Sequence, residues 1–286
     1  MKLKNIFLGL LVVALVSLGF SPLTAQAQNE STEANQSEKL KEPFSILLLG
    51  IDTGDFGRTD SGRSDSMMLA TVNPEMEHVV VASIPRDSYV EIPGYGMDKI
   101  NHAYAFGGAE LAVDTVEKWL EIEIPYYLTV DMNGLSEVVD AVGGVEVIPP
   151  TTFEISGFTF YEGQPTLVNG DQAVAYARER YTSGGDYARQ ERQRQLVVGT
   201  VEATLEQATG LTEVISIART FDKFFNSNLS ILELVDLAMN NLDIQLTYDF
   251  VQFQGTGTMI DGIYYDQIGE ASYAEIISLL KDNLEL

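Results

Sequence analysis

The chain alternates between unbroken apolar runs and stretches with helical spacing. Residues 44–51, FSILLLGI, are apolar at nearly every position and stop at Asp52. A short run of this kind predicts a strand covered on both faces. Two more runs, SMMLATV at 66–72 and VVVASI at 79–84, lie either side of Asn73-Pro74, a turn signal, and predict a hairpin. After Gly107-Gly108 the spacing changes. Leu111, Val113, Val116, Trp119 and Leu120 fit a helix over 109–120, with Trp119 in the core. A strand is predicted at 125–130, a helix at 133–142, a break at Gly143-Gly144 and a strand at 145–148. Ser183-Gly184-Gly185 breaks the chain again, and Asp186 is read as the N-cap of a helix running to about residue 206. Helices at 212–225, 229–242 and 271–284 follow, with a strand pair at 249–253 and 256–260 around Gly255. This mixture predicts an α/β fold.

The first residues stand apart. Lys2 and Lys4 precede an apolar run to Phe20, and Ala25-Gln26-Ala27 is a small-residue cleavage pattern. Residues 1–27 read as a secretory signal peptide or, if retained, a signal anchor. Either form places the rest outside the cytoplasm. Residues 28–43 are polar and aperiodic and read as a disordered linker. Residues 44–286 are then one folded domain, large enough to bury a core.

Charge narrows the chemistry. The formal net charge is −25, which argues against nucleic acid as a partner. There is no cysteine, so disulfides and thiolate metal sites are excluded. Five of the nine arginines, Arg178, Arg180, Arg189, Arg192 and Arg194, nevertheless fall within 173–196. An acidic chain that gathers guanidinium groups in this way points to an anion site, since the planar fork suits phosphate. Arg189 and Gln193 are four apart and share a helix face. A solvated helix laced with Glu–Arg pairs is the competing reading. At the predicted strand ends, Asp52, Asp65 and Arg86 form a second pattern. Two carboxylates suit a hard divalent cation and an arginine beside them suits phosphate; Asp55 and Asp60 read as turn residues. Lys99 adds a charge nearby, while His78 and His102 read as structural.

The motifs LLLGID at 47–52, GRSDSMML at 62–69, SIPRDS at 83–88, KINHAYAFGG at 99–108, VDAVGGVEV at 139–147, LVNGDQAVAYARER at 167–180 and DYARQERQRQ at 186–195 occur in this order. Together they resemble the LytR-CpsA-Psr proteins of bacterial cell-wall assembly, over most of residues 44–200; residues 200–286 match weakly and read as scaffold. The resemblance implies an α/β/α sandwich around a central mixed β-sheet, with a polyprenyl-lipid pocket in the core. It implies an enzyme outside the membrane, reached by its lipid substrate and by any N-terminal anchor. That enzyme moves a glycopolymer, a teichoic acid or capsular-type polysaccharide, from undecaprenyl pyrophosphate to peptidoglycan through a phosphodiester. Carried over, Asp52 and Asp65 hold Mg²⁺, with Mn²⁺ as the alternative. Arg63, Arg86, Arg178, Arg180 and Arg189 hold the pyrophosphate, with Lys99 and Gln193 beside them. Arg86 also acts catalytically, and Asp186 is either the base for the acceptor hydroxyl or simply a helix cap. The strongly acidic composition departs from many family members, which are basic.

Such chemistry needs positioning and charge neutralisation more than a protein nucleophile, because the acceptor hydroxyl attacks phosphorus directly. A hydrolase of polyprenyl pyrophosphates would use the same residues with water. A non-catalytic binder of lipid-linked precursors, or a regulator, would not need two metal carboxylates.

Overall fold

A computed structural model describes residues 42–52, 62–180, 184–207, 225–229 and 247–286. The signal or anchor, most of the linker, Asp55, Asp60 and the bodies of the helices expected at 212–225 and 229–242 lie outside the described residues. The chain begins with strands β1 (Phe44–Asp52), β2 (Arg63–Asn73), β3 (His78–Ser83), β4 (Tyr89–Ile92) and β5 (Gly96–Lys99). Helix α1 (His102–Leu120), β6 (Tyr126–Asp131), α2 (Met132–Ala141) and short strands β7 (Val145–Val147), β8 (Phe153–Ile155), β9 (Phe158–Phe160) and β10 (Thr166–Val168) follow. Then come α3 (Gly170–Arg178), α4 (Gly185–Gln207), β11 (Phe225–Ser227), β12 (Thr247–Gln252), β13 (Gly255–Ile260), β14 (Ile263–Ile268) and α5 (Glu270–Asn283). These make five helices among the described residues.

The described chain forms two compact units, one of residues 42–132 and 247–286 and the other spanning 133–246. The first is built on a mixed sheet in which β6, β1, β2, β3 and β12 are neighbours in that order. β1 and β6 run parallel, as do β3 and β12, while β1–β2 and β2–β3 are antiparallel. The expected hairpin is therefore present. Strand β1 alternates, with Leu47 and Leu49 fully buried and Leu48 half-buried between them. The continuous apolar run thus serves two faces of unequal cover. Helices α1 and α5 pack on this sheet, and Val116, Leu120, Ile276 and Leu280 meet Leu69 and Ala82 in one apolar cluster. Burying each such side chain stabilises the fold by about 1.5–3 kcal/mol. Trp119 sits at the edge of this cluster, its ring 5.0 Å from that of Phe253.

Two expectations change here. Gly107 and Gly108 interrupt α1 with non-helical angles, so a full helix follows them as read, but a further helical segment from His102 precedes them. The strands expected at 249–253 and 256–260 both form, yet they do not pair with each other. β12 adds to β3 in parallel, and β13 pairs instead with β14. Only two residues separate β12 from β13, and each finds its partner elsewhere.

The second unit has its own core. Val139, Val145, Phe160, Val168, Tyr176 and Leu196 belong to one buried cluster drawn from α2, β7, β9, β10, α3 and α4. Its α3 starts at a capping box. The Asn169 side chain accepts from the Gln172 N–H at 3.0 Å, and the Gln172 side chain accepts from the Asn169 N–H at 3.0 Å. Two orphan donors are thereby satisfied reciprocally.

Candidate functional site

The strand-end residues come together in the first unit. Asp52 closes β1 opposite Arg63 on β2, whose side chain is exposed. Gly62 stands just before, at φ 75°, and a Cβ there would lie 2.6 Å from the Asp52 carbonyl oxygen. Glycine is what lets the chain return this closely. Between Gly50 and Ile51 the register slips, with Gly50 facing Ser66 and Ile51 facing Ser64. Asp65 is the extra residue of that bulge, and a bulge re-aims its side chain. One Asp65 oxygen lies 2.8 Å from Arg86 Nη1, and the other accepts from Asn101 Nδ2 at 3.4 Å. Arg86 Nε is 3.7 Å from Asp87, and Asp87 in turn takes the Lys99 ammonium at 2.7 Å. The result is an alternating row, Asp65–Arg86–Asp87–Lys99, with every side chain 15–20% exposed. It is sheltered enough to strengthen its charges and open enough to meet a ligand. Lys99 Nζ also lies 5.9 and 5.8 Å from the ring centroids of Tyr264 and Tyr265.

The arginine stretch forms part of the second unit. Gly184 and Gly185, both left-handed with φ 99° and 75°, turn the chain into α4. The helix begins at Gly185, so Asp186 is in its first turn and not the N-cap. Its carboxylate is 2.6 Å from Arg189 and accepts from Gln190 at 3.2 Å. Arg189 and Gln193 do share a face, and it is buried, with Gln193 Nε2 donating to the Ala177 carbonyl at 3.4 Å. Arg178 is exposed and Arg180 half-buried. Arg194 is partly exposed and pairs with Glu191 on its own helix.

Arg192 differs from all of these. It is fully buried, donating from Nε to the Tyr176 carbonyl at 3.2 Å and from Nη2 to the Glu179 carbonyl. Its Nη2 is 3.4 Å from the Glu179 carboxylate, and the guanidinium lies 5.2 Å from the Phe153 ring centroid. Burial pulls the Arg192 guanidinium below its usual range, while Glu179 and Tyr176 act in the other direction. The signal was present in the sequence, since position 192 lies four before the buried Leu196 on the same helix face. Asp87 and Asn101 were not singled out, although each lies inside a quoted motif, SIPRDS and KINHAYAFGG. His78 is structural as expected, with Asn283 Oδ1 3.1 Å from one ring nitrogen and Asp249 3.3 Å from the other.

The donor chemistry at the end of β1 suits a hard cation. Asp52 and Asp65 supply carboxylate oxygens from neighbouring strand positions. Mg²⁺ is commonly held by one or two carboxylates, with water and phosphate oxygens completing its shell. Among the described residues, no three His, Cys, Asp or Glu side chains cluster closely enough to hold a metal unaided.

The LytR_cpsA_psr family model matches residues 13–282. The chain belongs to this family. A LytR-CpsA-Psr relative from Enterococcus faecalis, named polyisoprenyl-teichoic acid–peptidoglycan teichoic acid transferase TagU, is 42% identical over 266 residues, covering 91% of this chain and 86% of the relative. The crystal structure of Bacillus subtilis TagU superposes with a TM-score of 0.68 at 35% identity, covering 86% of this chain and 98% of that one. A structure of TagT bound to LIIa-WTA superposes at 0.71 with 26% identity, covering 95% and 100%. The mixed α/β fold with its central mixed sheet is thus the fold of solved members of the family.

Proposed function

We propose that this chain is an extracytoplasmic phosphotransferase. It moves a teichoic acid or related glycopolymer from a polyprenyl-pyrophosphate carrier to peptidoglycan. The observation that carries the reading is the 42% identity, across nearly the whole chain, to a protein named for that transfer. The site chemistry agrees with it. Arg86 and Lys99, each held against a carboxylate, would give an anionic diphosphate charge-assisted hydrogen bonds. Arg63 supplies a further exposed guanidinium group in the same unit, and within the other unit Arg178 is exposed, Arg180 half-buried, and Arg189 and Gln193 form a buried pair. Asp52 and Asp65 would hold Mg²⁺, which neutralises charge on the phosphates when bound. Arg86, fixed by Asp65 and Asp87, stabilises charge that develops on the transferring phosphoryl oxygens. The polyprenyl tail lies in an apolar pocket of an α/β/α sandwich, and the N-terminal segment delivers or anchors the enzyme outside the membrane.

Incubating the protein with a lipid-linked glycopolymer, Mg²⁺ and peptidoglycan fragments tests this by product mass. A polymer–peptidoglycan phosphodiester is the expected product. Free phosphorylated polymer alone would make the enzyme a hydrolase, and bound but unchanged donor would make it a binder.

A further inference from the structure

Among the described residues, the row of charges at the strand ends has two carboxylates, Asp65 and Asp87. Its carboxylates are engaged by Arg86 and Lys99. Asp186, the sequence-based candidate, has Arg189 and Gln190 on its carboxylate within its own helix. We propose that His102, oriented by Asp98, is the general base that takes the proton of the acceptor hydroxyl. This rests on the transferase reading above.

The arrangement is local and well defined. His102 is the first residue of α1, and its Nδ1 lies 2.9 Å from Asp98 Oδ2. The other Asp98 oxygen accepts from the Lys99 N–H at 2.8 Å and from the Tyr265 hydroxyl at 3.3 Å. Burial pushes the Asp98 carboxyl up, but the hydrogen bonds from His102 and the Lys99 N–H, the charge of His102 and the Tyr265 bond outweigh it and hold it below its usual range. Asp98 is therefore a carboxylate and acts only as an acceptor, so Nδ1 carries the hydrogen. The lone pair of the neutral ring is then on Nε2. A carboxylate that fixes tautomer and orientation in this way is the logic of a catalytic triad. The centroid of the His102 ring lies 5.8 Å from that of Phe106. The imidazole remains 20% exposed and accessible.

Its neighbours belong to the charged row. Lys99 follows Asp98 directly, and Tyr265 touches Asp98 with its hydroxyl and Lys99 with its ring. Asn101, the residue before His102, bonds Asp65. In the step, the acceptor O–H proton passes to His102 Nε2. The oxygen forms its bond to the phosphorus that carries the glycopolymer. The bond from that phosphorus to the bridging oxygen breaks, and its electron pair leaves on polyprenyl phosphate. The imidazolium then returns its proton to solvent.

The test compares wild type with His102→Ala and His102→Gln in the full chain, using a soluble polyprenyl-pyrophosphate glycan and peptidoglycan fragments. The expected result is a fall in kcat of about 100-fold or more in both, the usual scale of general base catalysis, with donor binding by calorimetry unchanged. Added imidazole should restore part of the rate in His102→Ala, where a cavity exists, and not in His102→Gln. A kcat within about threefold of wild type in both variants overturns the proposal. So does a loss of kcat accompanied by lost donor binding or a lowered melting temperature without imidazole rescue, which would make the histidine structural. If wild type itself binds donor and forms no conjugate, the transferase reading fails first and takes this inference with it.

Discussion

Arg86 and Arg192 both sit against a carboxylate, but in settings that suit opposite tasks. The Arg86 guanidinium is 15% exposed, and it lies against the side chains of Asp65 and Asp87. An incoming phosphate can compete with carboxylates for such a fork. Arg192 has no exposure, and two of its partners are main-chain carbonyls at the end of α3. No ligand reaches it there. It ties α4 to the end of α3 and satisfies helix-end acceptors that would otherwise be orphaned. Arginine density in a sequence therefore marks a region and overstates the site. Of the five arginines in the window, Arg192 is a strut and Arg194 a surface partner of Glu191.

The strongest way to break this comparison is to remove the strut. Arg192→Met should destabilise the fold by about 3–5 kcal/mol, because the Glu179 carboxylate, 3% exposed, loses a guanidinium 3.4 Å away inside the protein. Urea melts read this directly. A variant as stable as wild type would show that Arg192 is no strut. Replacing Glu179 by Leu as well should recover much of the loss, since the buried charge is then absent.

Asp65→Ala should do the reverse. The pair with Arg86 is partly exposed, so stability should change by only about 1 kcal/mol or less. Turnover should nevertheless fall by about 100-fold or more, and Mg²⁺ should raise the melting temperature of wild type but not that of the variant. Full turnover without the carboxylate would remove both its metal role and its part in fixing Arg86.

Arg189 lies between these extremes, being buried like Arg192 but paired with a side chain like Arg86. Arg189→Lys keeps the charge and loses the planar fork, so binding of a soluble polyprenyl-pyrophosphate analogue should weaken about tenfold. Arg194→Ala is the control and should leave both binding and stability nearly unchanged, within about 0.5 kcal/mol. Equal losses in the two variants would mean that the helix is a diffuse basic face.

Much of this was legible in the sequence and some was not, for physical reasons. Strands β1, β2, β3 and β6 announced themselves because burial demands apolar runs. The break before α4 was visible because left-handed turns demand glycine. The partners of β12 and β13 were not visible, since strand neighbours depend on contacts far apart in sequence. The bulge that re-aims Asp65 left no mark that spacing alone reveals. The pairing of Asp98 with His102 at i,i+4 was legible in principle, yet one histidine by itself gives no reason to look for its carboxylate.

The smallest expected effect concerns acid stability, and it separates the two regions by titration. The folded Asp98 carboxyl is held below its ordinary value of 3.8, since burial, which raises it, is outweighed by the bonds from His102 and Lys99. A depressed carboxyl contributes stability that is present above its unfolded value and is lost as pH falls through the folded one. Wild type should therefore lose this contribution only below about pH 3.8, and Asp98→Asn should flatten that part of the stability–pH curve while lowering stability slightly at neutral pH. No such change should follow from Arg194→Ala, whose pair is on the surface of α4. Urea midpoints for both variants between pH 3 and 7 make the measurement. If Asp98→Asn follows the wild-type curve at every pH, the carboxylate does not hold His102 in the folded protein, and the proposed base loses the group that orients it.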